Sequence, residues 1–282
     1  MWEGASNMVL YRYLASHWTE TLRDGRLKVA RPQEFNDPYD CLGVCVGQYP
    51  ISTVKQHFLD QHSPVYATTV ATAKEWNLTI EDAATMLARA NVRGMSDNMA
   101  KMITDRDSVN AIQFILCFSG AQENDSSHSL MWSHYANKCN GVRFGFDFGG
   151  PEFEMYLNAV RYSTERATLN LSLIKDLQDD HEYLRFNEDS FLMKSIEWAY
   201  EREYRMMIDD KHSEEGKDKD GNLIRFWRFK PEYLRTVDLG FGIRKEEESE
   251  IIDIVAKSYR HVKVRRLLMS QQGYSFALEP LN

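Results

Sequence analysis

Apolar residues along the chain recur with two different periods, and the places where one period gives way to the other divide the chain into elements. Val9 to Tyr13 is short, β-branched and aromatic, and predicts a strand. The run from an N-cap at Ser16 to Arg23 has helical spacing, and Asp24-Gly25 ends it with a glycine just past the last turn. Arg26 to Ala30 predicts a second strand, so the chain opens strand, helix, strand. Phe35-Asn-Asp-Pro-Tyr-Asp40 predicts a turn, because Asn and Asp cap their own backbone and Pro fixes φ.

From Val54 to Ile103 the pattern is helical, with a start at Thr79 followed by Glu81 and Asp82, and a division expected near Gly94 and Ser96. Ile112 to Phe118 is a continuous apolar run and predicts a buried strand. Gly120 to Ser129 reads as a polar loop, Leu130 to Asn137 as a short helix stopped near Asn140-Gly141, and Val142 to Phe148 as a strand. Ala159 to Tyr162 predicts a short strand and Glu165 to Trp198 a mostly helical stretch. Glu203 to Ile208 and Leu223 to Phe229 are expected to pair as a hairpin with a long charged tip. Arg235 to Leu239, Val262 to Leu267 and Tyr274 to Leu278 predict closing strands, with a helix over Glu246 to Lys257. Short strands with helices between them, without regular βαβ alternation, predict an α+β fold with a mainly antiparallel sheet. A single domain over 1–282 is expected, with a helical insert at about 51–107.

Composition narrows the chemistry. The 282 residues are 43% hydrophobic and 27% charged, enough apolar material for a sizeable core, which excludes a disordered chain. Net charge is −8, so an extended duplex nucleic-acid footprint is not expected. No run approaches ~18 consecutive apolar residues, so no membrane span is expected. Met1 to Met8 has neither a basic nor an apolar region of the signal-peptide kind, and the four cysteines, Cys41, Cys45, Cys117 and Cys139, form no CxxC pair. Both features point to a cytoplasmic protein with reduced thiols. A zinc site from His134, Cys139, Cys41 and Cys45 fits no ligand spacing, and no metal is expected there. Asp218-Lys-Asp220-Gly221 lacks the placed glycine and closing Glu of a calcium loop. Gly240-Phe-Gly242 lacks the third glycine and following helix of a phosphate loop.

Three ordered stretches stand apart from generic globular sequence: Leu10-Tyr-Arg-Tyr13 with Phe35-Asn-Asp-Pro-Tyr-Asp40; Cys117-Phe-Ser119 with Leu130-Met-Trp-Ser-His-Tyr-Ala136; and Lys194 followed by Trp198-Ala-Tyr-Glu-Arg-Glu-Tyr-Arg205. Together they resemble the bacterial domain-of-unknown-function family 2971 over nearly the whole chain. That family implies no activity, although some relatives sit near phage-defence genes.

The opening order of strand, helix, glycine, strand also resembles the ADP-ribosyltransferase core, a split and mainly antiparallel sheet. This resemblance implies NAD as substrate and assigns roles residue by residue. Arg12, with Tyr13 beside it, matches the first-strand position that shapes the NAD pocket. Ser119 and Tyr135 match the strand-end serine and the helix tyrosine near nicotinamide. Glu203 matches the glutamate that opens a strand and binds the ribose, and Glu201, two residues earlier, is expected on the same side of an extended segment. His134 is assigned to the ribose or to orienting the tyrosine. The context departs from the family: Trp-Ser-His-Tyr surrounds the tyrosine, and no Ser-Thr-Ser run follows Phe118.

Breaking the nicotinamide–ribose bond passes through an oxocarbenium-like state, which a carboxylate such as Glu203 stabilises. Tyr135 supplies a stacking face and Arg12 a fork suited to pyrophosphate or to bracing the pocket backbone. Structural roles compete with each: Arg12 pinning the turn through Asp37 or Asp40, Tyr135 and Trp132 packing a core, Glu203 pairing with Arg205, and Ser119 capping a helix. The leading expectation is thus an NAD-using transferase-type effector of phage defence or toxin action, with a protein, a nucleic acid or water as acceptor. A non-catalytic sensor or partner-binding protein on the same scaffold is the first alternative. A metal-dependent nuclease using Asp37, Asp40, Glu201, Glu203 and Lys194 is the second.

Overall fold

Strand β1 (Val9–Leu14) carries two kinds of side chain in strict alternation, and this sets the plan of the fold around it. Leu10 points into an apolar core with Leu14 packed at its margin, while Tyr11 and Tyr13 point into a second cluster on the opposite face. The computed structural model describes residues 9–15, 18–105, 114–120, 129–149, 156–178, 181–217, 221–271 and 275–281. They divide into two compact units, one built from Met1–Glu34, Gln113–Val160 and Ile196–Asn282, the other from Phe35–Ile112 and Arg161–Ser195.

The first unit is α+β. After β1 come helix α1 (Trp18–Asp24) and strand β2 (Arg26–Val29). Gly25 closes the helix at φ 64°, the left-handed conformation that glycine adopts without steric cost. Ser16, the expected N-cap, lies outside the described residues. An eight-stranded sheet then gathers β1 with β4 (Phe114–Ser119), β5 (Val142–Asp147), β6 (Leu157–Ala159), β10 (Glu203–Ile208), β13 (Leu234–Leu239), β14 (Lys263–Met269) and β15 (Phe276–Pro280) in the order β15-β14-β13-β5-β1-β4-β10-β6. Its pairings are antiparallel except for β13 with β14, which helix α7 (Lys245–Ser258) connects.

The sheet is nearly two sheets. β1 pairs with β5 from Val9↔Asp147 to Leu14↔Val142, and β10 pairs with β4 from Glu203↔Ser119 to Ile208↔Phe114. Between these halves β1 and β4 share only Tyr11↔Ser119. Beyond that pair the strands part, and Arg12 Nη1 donates to the Cys117 carbonyl at 2.7 Å in place of a ladder bond.

The two faces differ in chemistry. One carries Leu116, Phe118, Phe144, Phe146, Val237 and Met206, packed with α1 and α7 as the main core. The other carries buried charge. Arg143 and Arg265 both donate to Asp238, from Nε of Arg143 at 2.8 Å and from Nε of Arg265 at 2.6 Å, with Asp238 fully buried. The Arg143 guanidinium also lies 4.2 Å over the Tyr11 ring. Burial opposes the charge on Arg143, but Asp238 and the tyrosine hydroxyls outweigh it and hold its pKa above the ordinary value. Burial likewise pushes the Tyr13 and Tyr11 hydroxyls up, so both stay protonated while they accept from Arg143 and Arg265.

Several expected elements fall differently. β10 does not pair with Leu223–Arg228 (β12); that strand pairs with Glu214–Lys217 (β11) and with β2, because β10 is already flanked by β4 and β6. The stretch expected at Ala159–Tyr162 is two strands, β6 and β7 (Arg161–Ser163), that separate at Val160. Among the described residues of 165–198 the α-helix covers only His181–Leu192 (α6); β8 (Thr168–Asn170) and a 3-10 turn at Leu171–Leu173 precede it, and β9 (Met193–Ser195) and the start of a second 3-10 helix follow. Ile112 and Tyr274, expected at strand ends, and Asp218 to Asp220 lie outside the described residues.

The second unit packs α2 (Ile51–Leu59), α3 (Tyr66–Glu75) and α4 (Ile80–Thr104) with the short parallel pairs β3 (Val44–Val46) with β8 and β7 with β9. Thr79 caps α4 by accepting from the Asp82 amide. The expected division at Gly94 and Ser96 is absent, and α4 runs through both. Nothing lies within 4 Å of a side chain at Gly94, while Ser96 folds back to the Val92 carbonyl and accepts from the Tyr49 amide, so neither residue breaks the helix. Val54, Phe58, Ala84, Ala88 and Leu169 form its core. The Phe35–Asp40 turn belongs here, with Asp37 bonding the Tyr39 amide at 2.9 Å and Lys194 facing Asp40 at 3.4 Å, both buried.

Removing one member of a buried ion pair leaves its partner charged and desolvated, at a cost of about 3–5 kcal/mol. Asp238→Asn is therefore expected to lower unfolding free energy by about that amount, read as a fall in the urea midpoint.

Candidate functional site

The charged face of the sheet continues across the split, where its residues coincide with those singled out from sequence. Tyr11, Ser119 and Glu203 are register partners in a line across β1, β4 and β10, so all three share one face. Helix α5 (Ser129–Tyr135) covers that face with Met131 and Trp132, and the Trp132 ring meets Tyr13 edge-on at 5.5 Å.

A tight segment then delivers the carboxylates. Ile196–Glu201 forms a 3-10 helix, Arg202 turns left-handed at φ 47°, and β10 begins at Glu203. Glu201 and Glu203 were expected on the same side of one extended segment; the segment is not extended, because Glu201 ends a 3-10 helix and Arg202 is left-handed before Glu203 opens β10. Each is nonetheless buried, at 3% and 5% exposure. Ser119 Oγ donates to the Glu201 carbonyl at 2.6 Å, and the Gly120 amide donates to the Arg202 carbonyl at 2.7 Å. A side chain at Gly120 would meet the Tyr204 ring at 2.6 Å and Arg202 O at 3.2 Å, so only glycine admits this approach. A left-handed arginine costs of order 1 kcal/mol, which these bonds hold in place.

Both carboxylates have defined partners. Tyr135 donates its hydroxyl to Glu201 Oε1 at 2.5 Å. Arg205 grips Glu203 with two prongs, Nε to Oε1 at 2.8 Å and Nη2 to Oε2 at 3.1 Å. The Cys117 thiol also hydrogen-bonds Glu203; burial first, and then that carboxylate's charge, push the thiol well above its ordinary pKa.

The remaining expected residues separate. Arg12 leaves β1 on the face of Leu10 and Leu14, opposite Tyr135 and Glu203, and reaches the site through the Cys117 carbonyl. Its buried Nε has no hydrogen-bond partner. Tyr13 lies with Trp132, and its hydroxyl accepts from Arg143 Nη1 at 3.4 Å. His134 is exposed, with its ring 6.5 Å from Trp198 and 6.4 Å from Tyr200. Asn137, Lys138 and Cys139 follow α5 in three consecutive left-handed conformations, at φ 47°, 53° and 64°, and this turn, not Asn140-Gly141, stops the helix.

Four residues of the site were not assigned from sequence. Arg205 was weighed only as Glu203's structural partner and Cys117 only as a reduced thiol, because pairing register is invisible in the chain. Trp198 and Tyr200 carried a signal, two aromatics immediately before Glu-Arg-Glu, but no neighbour to make it meaningful. Among the described residues no group of three or more His, Cys, Asp or Glu side chains could hold a metal ion, and no helix is long and apolar enough to cross a membrane.

The fold and site define an α+β protein with a large, mostly antiparallel open sheet and paired carboxylates at a break in it. Residues 131–206 match the model of a family described as "Protein of unknown function (DUF2971)", which bears out that resemblance over this segment; the stretches at Leu10–Tyr13, Phe35–Asp40 and Cys117–Ser119 lie outside the match. The matched segment holds His134, Tyr135, Glu201 and Glu203. No curated protein and no solved structure matches the chain.

Tyr135→Phe removes the donor to a buried carboxylate and is expected to cost about 1–3 kcal/mol of unfolding free energy, measured by urea denaturation. Because Cys117 is held as the thiol, iodoacetamide at pH 8 should leave it unmodified in the native chain and label it fully in urea, as read by mass spectrometry of its peptide.

Proposed function

We propose that this chain is an NAD-using enzyme of ADP-ribosyltransferase type, acting at the break between β1 and β4. The observation that carries the reading is the alignment of Tyr11, Ser119 and Glu203 across three adjoining strands, with Tyr135 and Glu201 beside them on the same face. Segments far apart in sequence supply these residues, and a sheet needs no such chemistry to cohere. In this reading Glu203 stabilises the cationic ribose as the C–N bond to nicotinamide breaks and its electron pair leaves with the ring. A nucleophile on the acceptor then bonds to the ribose carbon and gives up its proton. Arg205 holds the Glu203 carboxylate in one orientation, and Arg12 braces the Cys117 backbone from the opposite face. Protein, nucleic acid and water are the candidate acceptors, and an effector of defence or toxin action is the biological role that fits.

A second reading, a non-catalytic sensor or binding protein, is favoured by one observation: Glu203 and Glu201 already have internal partners in Arg205 and Tyr135. Nicotinamide release by the purified chain, with and without cell lysate, separates the two. Wild type is expected to consume NAD, and Glu203→Gln, which keeps size and removes charge, to be slower by about 10²-fold or more. If neither protein consumes NAD even with lysate, the binding reading replaces the transferase.

A further inference from the structure

Helix α4 turns one face into the core of the second unit through Ala84, Ala88 and Ile103, with Leu87, Val92, Met95 and Met99 packed at its margin. Its opposite face is patterned in a way that the packing of the chain does not require. Residues four apart form a ridge on a helix surface. The ridge Met86, Ala90, Gly94, Asn98, Met102 is exposed at every position and carries no charge. Its two methionines are 39% and 58% exposed. The charges are kept to the neighbouring ridge of Arg89, Arg93, Asp97 and Lys101. A helix face that meets only water mixes charge across its whole width, and this one does not.

Gly94 stands at the middle of the ridge, eight residues from each methionine. Glycine is the poorest former of a helix interior after proline. Nothing lies within 4 Å of a side chain added at Gly94, so no neighbour in the chain calls for a glycine there. What a glycine in a helix permits is the close approach of another backbone.

The ridge is also its own complement. Reversed about Gly94, it returns methionine to methionine and a small residue to a small residue. A second α4 laid antiparallel across the first, ridge into groove, thus crosses it with glycine against glycine. Met86 of each copy then faces Met102 of the other. The ridge winds away from the crossing by about 12 Å along the axis at each methionine, and the long unbranched side chain spans the widening gap. Charge agrees with this geometry, because it sets Arg93 of each copy beside Asp97 of the other. Within one chain these two pair only loosely, Nε to Oδ2 at 3.8 Å with both side chains well exposed, so they can exchange partners across the crossing.

We infer that the exposed ridge of α4 is a docking surface for a second copy of this chain, which crosses it antiparallel at Gly94 in a two-fold dimer. The inference goes beyond the NAD reading and does not rest on it.

Sedimentation equilibrium of the full chain from about 1 to 100 µM tests the dimer, a span that covers weak and ordinary interfaces. Wild type is expected to approach twice the mass of one chain within it. Gly94→Leu favours the helix and meets no neighbour in its own chain, so it should melt at or above the wild-type temperature while association weakens about tenfold or more. Asp97→Arg and Arg93→Asp each put like charges together at the crossing and should each weaken self-association about tenfold. Mixed in equal amounts, these two variants should associate again, because every contact at the crossing then joins opposite charges. Unfolding cannot produce that recovery, so the charge pair keeps the dimer testable if Gly94→Leu does not fold. The dimer is overturned if wild type stays monomeric throughout the range, or if folded Gly94→Leu associates like wild type. It is equally overturned if each charge variant alone associates like wild type, or if mixing the two recovers nothing.

Discussion

Asp238, buried between Arg143 and Arg265, is the constraint around which the first unit is organised. A sheet with an ordinary apolar second face could slide or rotate its covering helix at little cost. Charges out of water cannot be moved in that way, because each departure from geometry leaves an ion without its counterpart. The pair-and-a-half of charges joins β5, β13 and β14, and Arg143 reaches on to Tyr11 and Tyr13 of β1 and toward the Trp132 ring of α5. Through Tyr11 and its partner Ser119, the orientation of this face is handed to β4 and β10. The positions of Tyr135, Glu201 and Glu203 follow from that sequence of fixed contacts.

Much of this was legible in the chain, and the successes and failures have separate causes. β5 was visible because Phe144, Phe146 and Phe148 alternate with small or polar residues, a pattern only a strand satisfies. α4 was visible from Thr79 and its acids, since a cap is a local device. The expected hairpin of β10 with β12 failed because strand pairing is decided by which neighbours are already present, and β10 found β4 and β6. The helical reading of 165–198 failed because its apolar residues serve short strands and 3-10 turns whose period is set by their surroundings.

The site was legible as a set of residues more than as an arrangement. Glu203 and Tyr135 stand out by their motifs, and both lie on the charged face. Arg12 could not be placed on a face without knowing that Leu10 and Leu14 face the main core. Nor could the turn between Glu201 and Glu203 be foreseen, since nothing in Glu-Arg-Glu announces a left-handed arginine. That conformation is imposed from outside, by the Gly120 amide and Ser119 hydroxyl that bind the backbone on either side.

The order of strands also bears on how the chain reaches this structure. β1 sits in the middle of the sheet, yet its neighbours β5 and β4 come from the middle of the sequence, and β4 in turn waits for β10. During synthesis the first strand emerges long before any strand that can pair with it, and the carboxylate-bearing half of the sheet completes later still. Non-local pairings of this kind close slowly, because the loop entropy is lost before the contacts that repay it are made. The nascent chain therefore carries an unpaired apolar and aromatic strand for much of its translation, the kind of segment that holding chaperones recognise.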